Sequence, residues 1–124
     1  MAIRRRTAAI TACGLAVAAA LTLSGWWFRG QPLDPVAWRD DTLVGTGIRL
    51  EMADHLVVRG TLTGLSRAEV VELLGEPPPT EYFRDWDLVY WLGPERGFIS
   101  IDSEWLVIRF DESDRVAEYE IVRD

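Results

Sequence analysis

The stretch that decides the fold is GLSRAEVVELLGEPPP, residues 64–79. Ser66 can accept hydrogen bonds from the free amides of a new helix, and Glu69 can accept one from the amide of Ser66, so the pair predicts a capping box. Gly75 and the three prolines that soon follow predict the end of this helix. The helix between these signals has only about two and a half turns, too few to be stable alone. We therefore expect its apolar side to pack against another part of the chain.

Two further patterns predict what this helix packs against. Apolar side chains recur every four positions in residues 48–58, which predicts a second amphipathic helix. Apolar and other side chains alternate in residues 88–92, 105–110 and 116–122, and turn-forming segments separate these runs, which predicts three strands. The sequence therefore predicts an α+β domain over residues 48–124, in which two helices pack on a three-stranded antiparallel sheet.

The alternation assigns each strand residue to one of two sheet faces. The face expected under the helices is almost entirely apolar and consists of Leu88, Tyr90, Leu92, Leu106, Ile108, Phe110, Ala117, Tyr119 and Ile121. The opposite face carries Val89, Trp91, Trp105, Val107 and Arg109, beside Glu118 and Glu120. No further regular element remains to cover this second face, and large apolar side chains on an open face are typical of a contact surface. We therefore predict that its first five residues bind a protein partner. The alternative is that residues 38–47 fold back and bury Trp91 and Trp105.

The run from Gly64 to Pro77 reads Gly-Leu-Ser-x-x-Glu-Val-x-x-Leu-Leu-Gly-x-Pro and resembles the SmpA/OmlA (BamE-like) domain family. Residues 86–93 and 105–111 resemble the strands of that family in order and spacing, and the likeness covers residues 49–123. The resemblance implies a non-catalytic, protein-binding domain of the cell envelope that supports membrane protein assembly or envelope integrity. It implies no individual contact residue, because the shared motif marks the fold.

The N-terminal residues 1–29 have the pattern of a membrane anchor. Arg4, Arg5 and Arg6 precede an uncharged, mostly apolar stretch, residues 7–28, which as a helix would reach roughly 33 Å and could cross a bilayer. The arginines predict a cytoplasmic N-terminus and place the domain on the periplasmic or extracytoplasmic side. Trp26 and Trp27 then fall at the far interface, which indoles favour. Residues 30–47, with two prolines and mixed charge, are predicted to be a linker.

Two other interpretations of residues 1–29 remain open. A basic start followed by an apolar region is also typical of a cleaved signal peptide, although no clean cleavage site follows here. Cys13 ends a segment that resembles a lipobox, and characterised BamE-like proteins are lipoproteins. The apolar stretch, however, continues well beyond this cysteine, whereas a lipobox should end it. A secreted protein or a lipoprotein is therefore the second expectation.

Composition argues against several functions. The 13 basic residues are all arginines and face 20 acidic residues, a net charge of −7, so nucleic-acid binding is not expected. One cysteine and one histidine, His55, leave no zinc-binding set, and we expect His55 on the surface of the first helix. We predict that the chain is not an enzyme and needs no cofactor. The alternative is a small ligand-binding, metal-binding or hydrolytic domain that uses its acidic loops. Its candidate residues are Asp85, Asp87, Asp111 and Asp114.

Overall fold

A computed structural model describes residues 30–124. The helices are α1 (Pro35–Arg39), a 3₁₀ helix (Asp41–Thr46), α2 (Ile48–Arg59) and α3 (Arg67–Leu74). The strands are β1 (Leu88–Pro94), β2 (Ser103–Phe110) and β3 (Val116–Arg123), which form one antiparallel sheet in that order. The predicted α+β fold, with helices packed on a three-stranded meander, is therefore confirmed.

The predicted membrane anchor, including its arginines at positions 4–6 and its tryptophans at 26 and 27, lies outside the described residues. Within residues 30–124 no helix is both long enough and apolar enough to cross a bilayer.

Helix α3 begins and ends where the sequence predicts. The amide of Glu69 donates to Ser66 Oγ and the amide of Ser66 donates to Glu69 Oε1, both at 3.1 Å, which completes the capping box. These hydrogen bonds hold the pKa of Glu69 below its usual value. Gly75 follows the last turn with φ = 83°, a conformation that an L side chain rarely adopts.

The inner face of the sheet, which lies under the helices, holds the core. Tyr90 pairs with Leu106, and Leu106 pairs with Ile121, so alternate positions of all three strands share this face. Met52 and Leu56 of α2 are buried against it, as the four-residue spacing of that helix predicts. The predicted register therefore holds along most of the sheet.

One residue of the predicted inner face lies elsewhere. Phe110 pairs with Val116, whereas Arg109 pairs with Glu118, so Ala117 is an extra residue in β3. A bulge of this kind shifts the alternation by one position. Val116 is therefore buried and Ala117 is exposed, and the prediction for Ala117 is wrong.

The segment of residues 30–47 is part of the folded unit, so its prediction as a linker is wrong. Asp34 Oδ1 accepts hydrogen bonds from the amides of Val36 and Ala37 and caps α1, with Pro35 in the first turn. Trp38 is only 2% exposed. Its indole meets the ring of Tyr90 edge-on, with 6.0 Å between centroids. The prolines that suggested a linker thus include one that starts a helix.

Candidate functional site

The five residues predicted to bind a partner differ sharply in exposure. Val107 is 0% exposed and Val89 is 8% exposed, whereas Trp105 and Arg109 are half-buried. Trp91 alone among them is exposed, with 42% of its surface open. The prediction that this outer face has no cover is therefore wrong for most of its area.

An irregular segment, residues 80–86, covers much of the outer face and is here named the aromatic flap. The rings of Tyr82 and Phe83 lie 5.3 Å and 6.1 Å from the ring of Trp105, measured between centroids. The Arg109 guanidinium lies 4.1 Å from the ring centroid of Trp86, a cation–π contact. The flap therefore forms a third layer on the sheet.

The conformation of the flap shows that its docking has an energetic cost. Phe83 has φ = 54°, a value that is unfavourable for a bulky side chain and persists only where surrounding contacts enforce it. The indole of Trp105 is fixed from its other side, because its Nε1 donates to Asp124 Oδ2 at 2.9 Å. This bond and one from the Ser103 amide lower the pKa of Asp124.

The flap follows no helix or strand period, so the periodicity of the sequence did not reveal it. A compositional signal was available, because three of the five residues at positions 82–86 are aromatic. Such a cluster directly before a strand with apolar residues on both faces indicates a cover for the second face.

Trp91 is exposed and borders a cleft of about 630 Å³, here named the Trp91 cleft. The cleft lies between α1, the C-terminal end of α3 and β1. Its lining is Trp38, Arg39, Asp41, Arg49, Leu74, Gly75, Glu76, Pro77, Pro78, Tyr90 and Trp91. The alternative cover from the sequence, residues 38–47, contributes to one wall of this cleft, whereas Trp105 is contacted by the flap.

Arg49 joins the walls of the cleft. Its Nε and Nη2 donate to the carbonyl of Trp38 at 2.9 and 2.5 Å, and its Nη1 donates to the carbonyl of Trp91 at 3.1 Å. Because β1 is an edge strand, this last bond also satisfies an acceptor that would otherwise face away from the sheet. Arg49 also pairs with Asp41 at 3.3 Å.

The polar side-chain groups of the two buried aromatic walls, Tyr90 and Trp38, are already bonded. The hydroxyl of Tyr90 donates to the carbonyl of Gly75 at 2.7 Å, and Trp38 Nε1 donates to the carbonyl of Leu74 at 3.1 Å. Burial, together with the nearby charge of Glu76, raises the pKa of Tyr90, which keeps it a donor. The cleft therefore offers a ligand mainly ring faces, prolines and guanidinium groups.

The lining of the Trp91 cleft is suited to binding an apolar group. None of the described residues that line it is a Ser, Thr, Cys or His, the usual nucleophiles and bases. Aromatic and proline faces favour an apolar side chain. The two arginines of the lining are balanced by Asp41 and Glu76, and Arg39 already donates to the carbonyl of Glu72.

Three of the four candidate carboxylates in the acidic loops, those of Asp87, Asp111 and Asp114, are bonded to groups within the domain. Arg67 pairs with Asp114 at 3.3 Å and approaches Asp87 to 3.9 Å. Asp87 Oδ2 accepts from the amide of Phe110 at 2.7 Å, and Asp111 Oδ1 accepts from the amides of two residues in its own turn. Nowhere in residues 30–124 do three or more His, Cys, Asp or Glu residues gather in a set that could hold a metal ion. His55 is half-buried on α2.

Comparisons with protein-family models, with curated proteins and with solved structures found no match.

Proposed function

We propose that this chain is a membrane-anchored, non-catalytic protein of the cell envelope whose folded domain binds another protein through the Trp91 cleft. In this proposal residues 1–29 anchor the chain with the domain on the extracytoplasmic side. The domain is of the BamE-like type, and its binding supports membrane protein assembly or envelope integrity. The resemblance carried by residues 64–77 supports the family and the cellular address.

The observation that carries the binding proposal is the exposure of Trp91 beside a walled cleft. Its cross-strand partner Trp105 lies under the flap, and the rest of the outer face is largely covered. Tryptophan and arginine dominate the binding energy of protein interfaces, especially where they border a preformed pocket. The Trp91 cleft combines both residue types with an aromatic and proline wall.

The architecture of the cleft favours a preformed site. Arg49 holds the carbonyl of Trp38 and the carbonyl of Trp91 at the same time, so α1 and β1 keep their spacing without a ligand. A preformed cleft loses little conformational entropy on binding, which favours affinity. The partner side chain that fits is apolar or aromatic.

The experiment is an affinity capture of the full chain from detergent-solubilised membranes of its own cell. Wild type is compared with Trp91→Ala and with a matched control, Tyr82→Ala, which removes an exposed aromatic ring that does not line the cleft. Circular dichroism first establishes that each variant is folded.

We expect wild type and Tyr82→Ala to recover the same envelope proteins and Trp91→Ala to lose them. Loss in both variants would place binding on the wider aromatic face instead. Retention in both would exclude the Trp91 cleft as the site.

A further inference from the structure

The loop between β1 and β2 presents three large apolar side chains to solvent. Phe98 is 104% exposed, and Ile99 and Ile101 are 62% and 82% exposed. Together with Ser100 they form an uncharged tip, residues 98–101, here named the apolar tip. Adjacent exposed residues of this size are uncommon on soluble surfaces and indicate a contact with an apolar phase.

Two polar groups of the apolar tip, the hydroxyl of Ser100 and the amide of Ile101, are bonded to Glu95 at its base. Ser100 Oγ donates to the carbonyl of Glu95 at 2.8 Å, and the amide of Ile101 donates to Glu95 Oε1 at 3.2 Å. The amide of Glu95 in turn donates to the carbonyl of Asp102 at 2.9 Å. Backbone groups that are bonded internally can enter an apolar phase at low cost.

The loop is fastened to the side of the domain where the described chain begins. Arg96 bonds to Glu104 of β2 and forms an ion pair with Asp54 of α2. Gly30 packs against the same turn of α2, because a Cβ built on Gly30 would lie 3.1 Å from the Cβ of Asp54. The amide of Gln31 donates to the carbonyl of Glu51 at 3.1 Å and fixes this start. The apolar tip and the exit of residues 1–29 are thus linked through Asp54.

The connection between the proposed anchor and the domain is short. Trp27 precedes Gly30 by three residues, which span roughly 10 Å at full extension. With Trp26 and Trp27 at the membrane interface, the surface of α2 near Asp54 lies close to the headgroups. The apolar tip begins two residues after Arg96, whose side chain pairs with Asp54 in this region.

We propose that the apolar tip inserts into the membrane interface beside the anchor and so fixes the orientation of the domain on the bilayer. The inference rests on the proposed anchor in residues 1–29. A lipid surface fits better than a protein or a second copy, because a stable protein interface needs about 800 Å² from each partner and four residues cannot supply it. Partial insertion of a few apolar side chains is how interfacial segments bind bilayers.

The net charge of the domain determines which lipid is suitable for testing this proposal. Residues 30–124 contain 9 arginines and 20 acidic residues, so an anionic surface would repel them. The uncharged tip is therefore tested on vesicles of zwitterionic phosphatidylcholine.

The test measures the depth of a label on the full chain. In a Cys13→Ser background, Phe98→Cys or Ile101→Cys carries an environment-sensitive fluorophore, and the chain is reconstituted into phosphatidylcholine vesicles with or without a spin-labelled lipid that quenches at shallow depth. The control is Ser113→Cys in the β2–β3 turn, at the opposite end of β2 and roughly 23 Å away along the strand. Circular dichroism verifies the fold, and flotation verifies membrane association.

We expect the chain to float with the vesicles and the labels at 98 and 101 to be blue-shifted and quenched at least about twofold more than the label at 113. Flotation with equal quenching at all three positions would overturn the inference while the anchor stands. A blue shift without quenching by lipid would show that protein covers the apolar tip, which also overturns it. Failure to float would overturn the anchor and the inference together.

Discussion

The two faces of the sheet are both covered, but by different kinds of structure. The inner face lies under α2 and α3, whose apolar stripes follow the helix period. Helix α3 begins with a capping box, and α2 ends at Gly60 in a left-handed conformation. The outer face lies under the aromatic flap, which is irregular and depends on ring contacts and on one residue with positive φ. Val107 on the outer face is nevertheless as inaccessible as Leu106 on the inner face.

Apolar residues on both faces of a strand therefore predict that both faces are covered, even where no helix or strand is left to cover the second one. The exposure that remains is then local. Among the five residues predicted to bind a partner, only Trp91, next to the cleft, is exposed. Substitutions in the two layers test how much each layer contributes to the free energy of unfolding.

Trp38→Ala should lower the free energy of unfolding by about 3 to 5 kcal/mol, because it empties a large site in the inner layer and frees a carbonyl acceptor at the end of α3. Urea denaturation of the detergent-solubilised chain, followed by circular dichroism, measures the change. Val36→Ala on the same helix is the control and should cost less than about 0.5 kcal/mol, because Val36 is exposed. Equal small costs for both would restore the linker interpretation of residues 30–47.

Glu104 lies at the polar end of the inner layer and is only 3% exposed. Burial raises its pKa, but hydrogen bonds from the side chain and amide of Arg96, aided by the charges of Arg96 and Arg123, outweigh burial and lower it. A carboxylate with a lowered pKa stabilises the fold above its ordinary value of 4.5 and loses that contribution as the pH falls further.

Glu104→Gln should therefore cost about 2 to 3 kcal/mol near neutral pH and progressively less below the ordinary pKa, where wild type also loses the charge. Urea midpoints at several pH values measure this difference. Glu118→Gln, in the solvent-exposed ion pair of the outer layer, is the matched control and should cost less than about 1 kcal/mol near neutral pH. A constant difference for Glu104→Gln at every pH would contradict the account.

The same substitution in each layer gives the most direct comparison. Val70 on α3 and Val107 on β2 are both fully buried, the first in the inner layer and the second under the flap. Val→Ala at either site should cost about 2 kcal/mol, from lost methyl groups and the resulting cavity. A much smaller cost at Val107 would show that the flap opens readily and that the outer face is available to a partner.

The contact between the flap and the sheet should have a smaller effect. Arg109→Met keeps the aliphatic stem but removes the guanidinium that stacks on Trp86 and pairs with Glu118, so we expect a loss of about 1 kcal/mol. Arg84→Met is the control, since Arg84 pairs with Glu81 in an exposed ion pair and should change stability by less than about 0.5 kcal/mol. Equal losses of stability in the two variants would mean that stacking of Arg109 on Trp86 does not stabilise the docked flap.

The sequence predicts the inner layer well because its signals are local and periodic. The capping box at Ser66 and Glu69, the spacing of Met52 and Leu56 and the alternation around Leu106 each constrain one element, and all three agree. These are the features that decide the fold class.

The sequence predicts the candidate site less well, because the site depends on contacts between distant and irregular segments. Burial of Val107 depends on a flap with no period. The cleft beside Trp91 depends on α1, whose Asp-Pro start is a helix signal that lies in a proline-containing segment with the composition of a linker. Exposure of a strand residue is decided by what packs over it, which alternation alone does not contain.

A substitution at the bulge in β3 should have the smallest effect on stability. It also tests whether Ala117 lies on the inner face or is exposed. Ala117→Val should change the free energy of unfolding by no more than about 0.5 kcal/mol and can raise it, because an exposed strand position favours a β-branched side chain. On the inner face the same two methyl groups would overpack the core and cost about 1 to 3 kcal/mol. Val116→Ala, one residue earlier and buried, is the control and should cost about 2 kcal/mol in the same urea titration. A reversed pair of results would place Ala117 under the helices opposite Phe110 and remove the bulge, because without the extra residue the alternation of β3 runs unbroken through Tyr119 to Ala117.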